Sequence, residues 1–317
     1  MPQSDKMTFE TSSRCKLTIT NTRLQKIQQA FGYGVVLIPL AGAIATISLL
    51  GYIGVTKIDL ALLIVMYTLT MLGITVGYHR LFAHKAFETN TTVKVILAIL
   101  GCMSAQGQVI HWVSNHRRHH QCSDRLGDPH SPHVSSDGKA FNTLNGFWHS
   151  QVTWLLKSDF PNVLLAKDWL KDTTLLKVNR LYLVWVILGF AVPGIIDGVL
   201  SRTSMGMLRG VLWGGFVRVF LVHHAISSVN SITHLYGNCP FQTSDRSKNN
   251  FWLAIPTGGE AWHNNHHAFP NSAIFGLRRW QVDPGTWIIR ILENLGLVWD
   301  VKQPTINMMH VKEIVKA

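Results

Sequence analysis

Long apolar stretches recur along this chain, separated by short polar turns or by long basic segments. A helix needs about 20 mostly apolar residues to cross the hydrocarbon core of a bilayer. Residues 31–53, 60–78, 181–199 and 207–229 meet that requirement. A fifth stretch, 93–110, begins apolar but then carries Ser104, Gln106, Gly107 and Gln108. Short helical segments are expected within 159–180 and 282–295. The pattern predicts an all-α membrane protein with four transmembrane helices. The apolar runs are spread throughout, so 1–317 reads as a single domain although the length would allow two.

Nine of the sixteen histidines fall into four spaced groups. These are His79 and His84 (HRLFAH), His116, His119 and His120 (HRRHH), His234 (NSITH), and His263, His266 and His267 (HNNHH). Neutral imidazole is the commonest side-chain metal ligand. Structural zinc takes only about four ligands, so nine imidazoles suit two metals with open positions. Helical residues at i, i+3 and i+4 share a face, so each HxxHH group can aim at one metal pair. His79 and His84, five apart, stand about 140° apart on a regular helix, which suits a helix end. All nine lie near where the predicted spans leave the membrane. If they form one site, 93–110 must lie along the interface or re-enter, because a crossing would put His84 and His116 on opposite faces.

Asn230, one turn before His234, is placed to hold a metal-bound water. Asp128, Glu260 and Asp283 are candidate acceptors for imidazole N–H groups, fixing tautomer and orientation. His111, His130, His133, His149, His223, His224 and His310 are read as surface or hydrogen-bonded residues. Arg218 lies inside the fourth span, where a charge is costly. A functional role and simple pairing with a carbonyl both stay open for it. Imidazole suits iron, zinc and copper. Two metals that had to split O2 and abstract hydrogen from an unactivated methylene would favour iron, as two Fe2+ ions, although zinc can replace iron in a purified sample.

The formal charge of +12 is concentrated in the polar segments, especially 80–180, and no nucleic-acid motif accompanies it. The positive-inside rule then makes the long segments, and the site, cytoplasmic. Anionic membrane lipid or an acidic protein partner fits this charge better than nucleic acid. The first 30 residues lack the pattern of a cleaved signal peptide. Cys15, Cys102, Cys122 and Cys239 form no CxxC pair and read as free thiols.

The four histidine motifs, with the surrounding GITVGYHRL, GDPHSPH, GFWHS and GEAWHNNHHAF, closely resemble membrane fatty-acyl desaturases of the stearoyl-CoA (delta-9) type. Ser114 and Asn115 replace the Arg-Asp pair of animal members, which makes the chain more similar to bacterial and cyanobacterial ones. The resemblance implies a four-span fold with a cytosolic helical cap, and a di-iron centre held by the nine histidines with Asn230 on a water. It also implies that O2 and two electrons are consumed per double bond. Tyr67, Met71, Gln106, Trp112, Ile226 and Ser227 correspond to acyl-tunnel positions. Bulky Met71 predicts a short tunnel accepting sixteen carbons or fewer. The acyl group can be borne on an acyl carrier protein, a lipid or coenzyme A. The electrons come from an external ferredoxin or cytochrome b5 type donor, in a bacterial inner or thylakoid membrane.

Within that family, the readings run from a desaturase to a terminal desaturase or acetylenase on a short acyl-carrier-protein substrate, or an acyl hydroxylase. Outside enzymes, the competing reading is a histidine-rich metal transporter. A transporter would set its ligands at mid-membrane, whereas these cluster at span ends.

Overall fold

A computed structural model describes residues 17–135, 138–157 and 159–314. Cys15 and the rest of the first 16 residues lie outside the described residues. Four helices are long and apolar enough to cross a membrane: α1 (Thr22–Ser48), α2 (Lys57–Ala83), α7 (Tyr182–Ser201) and α8 (Ser204–Leu235). Between α2 and α7 come α3 (Thr91–Met103), α4 (Val109–Cys122), α5 (residues 143–157) and α6 (Thr173–Arg180). After α8 come the short α9 (His263–Ala268) and α10 (Pro284–Asn294).

Three of the four spans, α1, α2 and α8, start where a polar cap satisfies the orphan N–H groups of a helix end. Asn21 accepts from the backbone of Arg23 and Leu24 and starts α1. Thr56 and Asp59 form a reciprocal capping box at the start of α2. These caps place α1 nine residues and α2 three residues ahead of the apolar stretches at 31–53 and 60–78. Outward apolar side chains on α1 and α7, such as Ile38, Ile47, Leu183 and Ile187, are exposed, as lipid-facing residues should be.

The interior half of α2 is a π-helix over Gly73–Ala83, fully buried. It packs closely on α3, where Gly73 and Gly101 leave no room for a Cβ at the crossing. Tyr78, Phe82, Leu97, Val109, Val113 and Leu175 form the core around this contact. At 13 residues α3 is too short to span, since about 20 are needed. It stops at a break through residues 104–108, where Ala105 and Gly107 adopt positive φ, and α4 follows. The fifth apolar stretch is thus an interrupted helix pair.

Arg218 is fully buried in α8 and pairs with carbonyls: Nη1 donates to Met103 O (2.6 Å), Nη2 to Gly189 O (2.6 Å) and Nε to Gly214 O (3.1 Å). This fixes the break after α3 to the third and fourth spans.

The cap joins distant parts of the chain. A two-stranded antiparallel ladder pairs β1 (Glu88–Thr89) with β2 (Val298–Trp299), Glu88 opposite Trp299. Near the start of the described chain, Ile19 N–H donates to Phe160 O (2.9 Å), and near its end Ile314 N–H donates to Pro240 O (2.9 Å). Both ends therefore dock on the cap. Cys102 and Cys122 are buried free thiols, and Cys239 is an exposed one.

Candidate metal centre

The π-turn brings the first two histidines together. In a π-helix the hydrogen bond runs from residue i to i+5, and His84 N–H donates to His79 O (3.1 Å). Residues five apart then fall on one face, and the two rings lie 4.9 Å apart. The 140° separation expected on a regular helix does not apply, because the extra residue per turn absorbs it. His116, His119 and His120 follow on one side of α4, and His263, His266 and His267 occupy α9. His234 closes the set from the last turn of α8.

All nine histidines converge in two groups. His79, His84, His116, His120 and His266 form one, and His119, His234, His263 and His267 the other, with ligand atoms in each group within 4.8 Å of one another. Within the first group Nε2 faces Nε2 at 3.0 Å (His79–His266), 2.8 Å (His84–His116) and 2.9 Å (His120–His266). In the second, His234 and His263 do the same at 3.0 Å.

This donor set fits two metal ions. Imidazole nitrogens about 2.0–2.1 Å from a common metal come about 3 Å apart when they subtend near-right angles. Burial, followed by the neighbouring imidazoles, holds His116, His120, His263 and His266 well below the usual imidazole range. His84 is pushed down to about 3 by burial and then by His267. The rings are thus kept in the neutral form that binds metal. The buried Nε2 atoms of His119 and His267 have no hydrogen-bond partner, although their Nδ1 atoms are both bonded. Those orphaned nitrogens are where metal bonds belong.

Carboxylates orient the rings from behind. His119 Nδ1 bonds both oxygens of Asp128 (3.0 Å each), His234 Nδ1 bonds Asp124 (2.8 Å), and His267 Nδ1 bonds Asp245 (2.7 Å). Glu260 contacts His79 Nδ1. Burial alone would raise Asp128, but His119 outweighs it and holds the carboxyl well below its usual range. His267 does the same to Asp245 against burial. Burial raises Glu260 to about 8, against the opposing charge of Arg80.

Asp283 is corrected by this geometry, for it touches no imidazole. Its carboxylate takes Arg80 Nη2 (2.8 Å), Thr286 Oγ1 (2.5 Å) and the N–H groups of Phe275 (2.9 Å) and Gly276 (3.0 Å). Arg80 stands between Asp283 and the Glu260 that faces His79 (Nε–Oε1 3.6 Å). Asp124 and Asp245, which the sequence did not single out, take the acceptor roles instead. Asp124 follows α4 with a left-handed backbone, and Asp245 sits on a loop, so no helical spacing marks either.

A cavity opens onto the metal groups at His79, His116, Glu260 and His263. Gln106, Trp112, Ile226 and Ser227 line it, and so does Asn230. Trp112 stacks on His116 (5.0 Å between centroids, 13° between planes), and its Nε1 donates to Gln106 (3.4 Å). Tyr67 and Met71 are not among the lining residues. The Tyr67 hydroxyl donates to Pro256 O (2.5 Å), and Met71 is buried, its packing side near Gly258. On the α2 side the cavity lining stops at Ile74 and His79. Of the other histidines, His130 lies 4.4 Å from the His119 ring, but the Asp128 carboxylate of that trio already takes His119 Nδ1.

A family model described as "Fatty acid desaturase" matches residues 59–290. The chain is 48% identical over 299 residues to the hex-5-enoyl-[acyl-carrier protein] acetylenase of Moorena producens (strain JHB), covering 94% of this chain and 93% of that protein. It is 37% identical over 240 residues to the sn-1 stearoyl-lipid 9-desaturase of Synechocystis sp. (74% and 68% covered). It is 36% identical over 242 residues to delta-9 acyl-lipid desaturase 1 of Arabidopsis thaliana (76% and 74% covered). With four membrane-length helices and a converged histidine site already in view, the chain belongs to the fatty acid desaturase family, a membrane oxidoreductase acting on acyl chains.

Proposed function

We propose that this chain desaturates a short acyl chain near its methyl end, carried as a thioester on an acyl carrier protein, with alkyne formation as a second round of the same chemistry. The supporting observation is where the cavity lining stops. It reaches the metal groups and includes Ile74, but not Met71 or Tyr67, one and two turns back toward the start of α2. A chain end seated there would present its last carbons to the metals. The name of the Moorena relative points the same way.

In this reading two irons are held by the five-histidine and four-histidine groups, with Asn230 on a water of the second. When bound, they supply O2 activation and hydrogen abstraction from unactivated carbon. Each double bond removes two hydrogens, and one O2 leaves as two waters using two protons and two electrons from outside. A ferredoxin or cytochrome b5 type protein supplies those electrons to a cytoplasmic cap, the side favoured by the basic segments. The chain's own residues exclude bulk water and fix the rings. Trp112 flattens one wall against His116, Ile226 and Ser227 shape the facing wall, and Asp124, Asp128, Asp245 and Glu260 hold the imidazole tautomers. The whole chain acts as one domain.

The test feeds membranes carrying the protein and an electron-donor system with six-carbon and sixteen-carbon acyl thioesters and with glycerolipids, and reads products by mass spectrometry. Terminal unsaturation on the six-carbon thioester is expected, with about two irons per chain by metal analysis. Met71→Ala should extend the accepted chain toward Tyr67. Double bonds formed only inside long lipid chains, with a length profile unmoved by Met71→Ala, would overturn the short-chain reading. One zinc and no iron in the active enzyme would overturn the di-iron reading.

A further inference from the structure

Some of the largest apolar side chains of the cap face outward. Trp252 is 84% exposed and Ile255 64%, on a segment that begins with a single helical turn, Phe251–Ala254. Trp280 is exposed beside Phe251, their rings 6.4 Å apart. A second patch lies on α10. At 100° per residue, Trp287, Ile291 and Leu295 fall within a sector of about 80°, and all three are exposed. Gly285 and Ile289 are buried on another face. Arg290, Glu293 and Asn294 make a third, polar face, where Arg290 Nη1 donates to Glu293 Oε2 (2.6 Å). One face on protein, one apolar and exposed, and one polar is the arrangement of a helix at the boundary of water and hydrocarbon.

The level of both patches follows from what they touch on α2. The Tyr67 hydroxyl donates to Pro256 O (2.5 Å), and Gly258 packs against Met71 and Thr75. Gly285 N–H, at the start of α10, donates to Gly258 O (3.0 Å), and Arg80 Nη1 donates to Thr286 Oγ1 (3.1 Å). At 1.5 Å per residue, Tyr67 lies about 15 Å and Met71 about 21 Å along α2 from its capped start. The hydrocarbon core is about 30 Å thick. Residues 255–258 therefore sit below the level where α2 leaves the core, and α10 sits near that level. Leu60 and Ile64, two turns and one turn before Tyr67 on the same face of α2, are exposed lipid-facing side chains. The outward surface of 251–258 continues theirs.

We infer that segment 251–258 and the outer face of α10 form a lipid-seated shelf under the cap, with Trp252, Ile255, Trp287 and Ile291 immersed in the leaflet on the histidine side of the membrane. The occupant is bilayer phospholipid. A soluble partner would have to reach Ile255 at the depth of the spans' own lipid-facing side chains. Tryptophan suits the edge of that layer, since its ring is apolar while its N–H can meet the headgroups. The shelf also bears on the metal centre. Glu260, which contacts His79, follows Gly258 by two positions. Lipid that seats the segment therefore seats that carboxylate at a fixed depth.

The test places a nitroxide on single introduced cysteines in the full-length chain, one copy per phospholipid nanodisc, in a Cys15→Ser, Cys239→Ser background. The background chain itself, with Cys102 and Cys122 buried, supplies the blank. Electron paramagnetic resonance then reads collisions of each label with oxygen, which enters lipid, and with a nickel chelate, which stays in water. Labels on Trp252→Cys, Ile255→Cys and Ile291→Cys should lose most of their collisions with the chelate and keep those with oxygen. A label on Asn294→Cys, on the polar face of α10, should keep its collisions with the chelate. Metal content matching the background serves as the folding control. Should Trp252→Cys fail to fold, Ile255→Cys and Ile291→Cys decide. Free access of the chelate at Ile255→Cys and Ile291→Cys would overturn the shelf and mark a water-facing surface open to a soluble partner. Exclusion of both reagents there would overturn it too, since the side chains would then be packed against protein.

Discussion

Each imidazole has two ring nitrogens, and the site uses them differently. One faces the shared centre, and in His119, His234 and His267 the other is held by an aspartate. Such outer partners set ligand basicity, and losing one commonly costs about 10–100-fold in metal affinity or activity. Asp245→Asn should therefore lower metal affinity by about that factor while leaving the fold intact, as metal titration and circular dichroism would report. Asp283→Asn should act mainly on stability, because its partners are Arg80, Thr286 and two backbone N–H groups. An Asp283 variant that loses metal as readily as the Asp245 variant would contradict this division. The nine ring positions were legible from spacing and number alone. The aspartates were legible only in part. Asp128 lies near its histidine in the chain, whereas Asp245 reaches His267 from a separate loop that carries no periodic signal.

At the scale of elements, hydropathy located all four spans but not their ends, because polar caps at Asn21 and Thr56 extend the helices beyond their apolar parts. The π-helix of α2 left no readable mark, since every residue in 73–83 is compatible with a regular helix and tertiary packing selects the wider turn. The break after α3 was legible in its polar residues. What holds it was not, because Arg218 is distant in sequence. Arg218→Leu should leave the Met103 carbonyl unsatisfied, at about 1–3 kcal/mol, and free the segment that carries Gln106. A lower thermal midpoint and a raised KM with metal content retained are expected. A variant as stable as the original would show that the carbonyl pairing contributes nothing.

For the whole molecule, the four spans return the chain to one side, and contacts at both described ends agree with that. Cys239, the exposed free thiol, lies just beyond α8 on the same side as the histidines. In a Cys15→Ser background, a membrane-impermeant maleimide should label Cys239 only after the cell membrane is opened. Labelling of intact cells would reverse the orientation. The π-turn carries a further consequence at this scale, one of heredity. Substitutions in 73–83 can keep the ring column of His79 and His84, but the loss of one residue cannot. Deleting Val76, for example, would restore a regular helix and swing everything downstream by about 100°, parting the membrane half of the site from the cap half. Outside Gly73 and His79, descendants of this chain can drift in the letters of that segment, but not in its length.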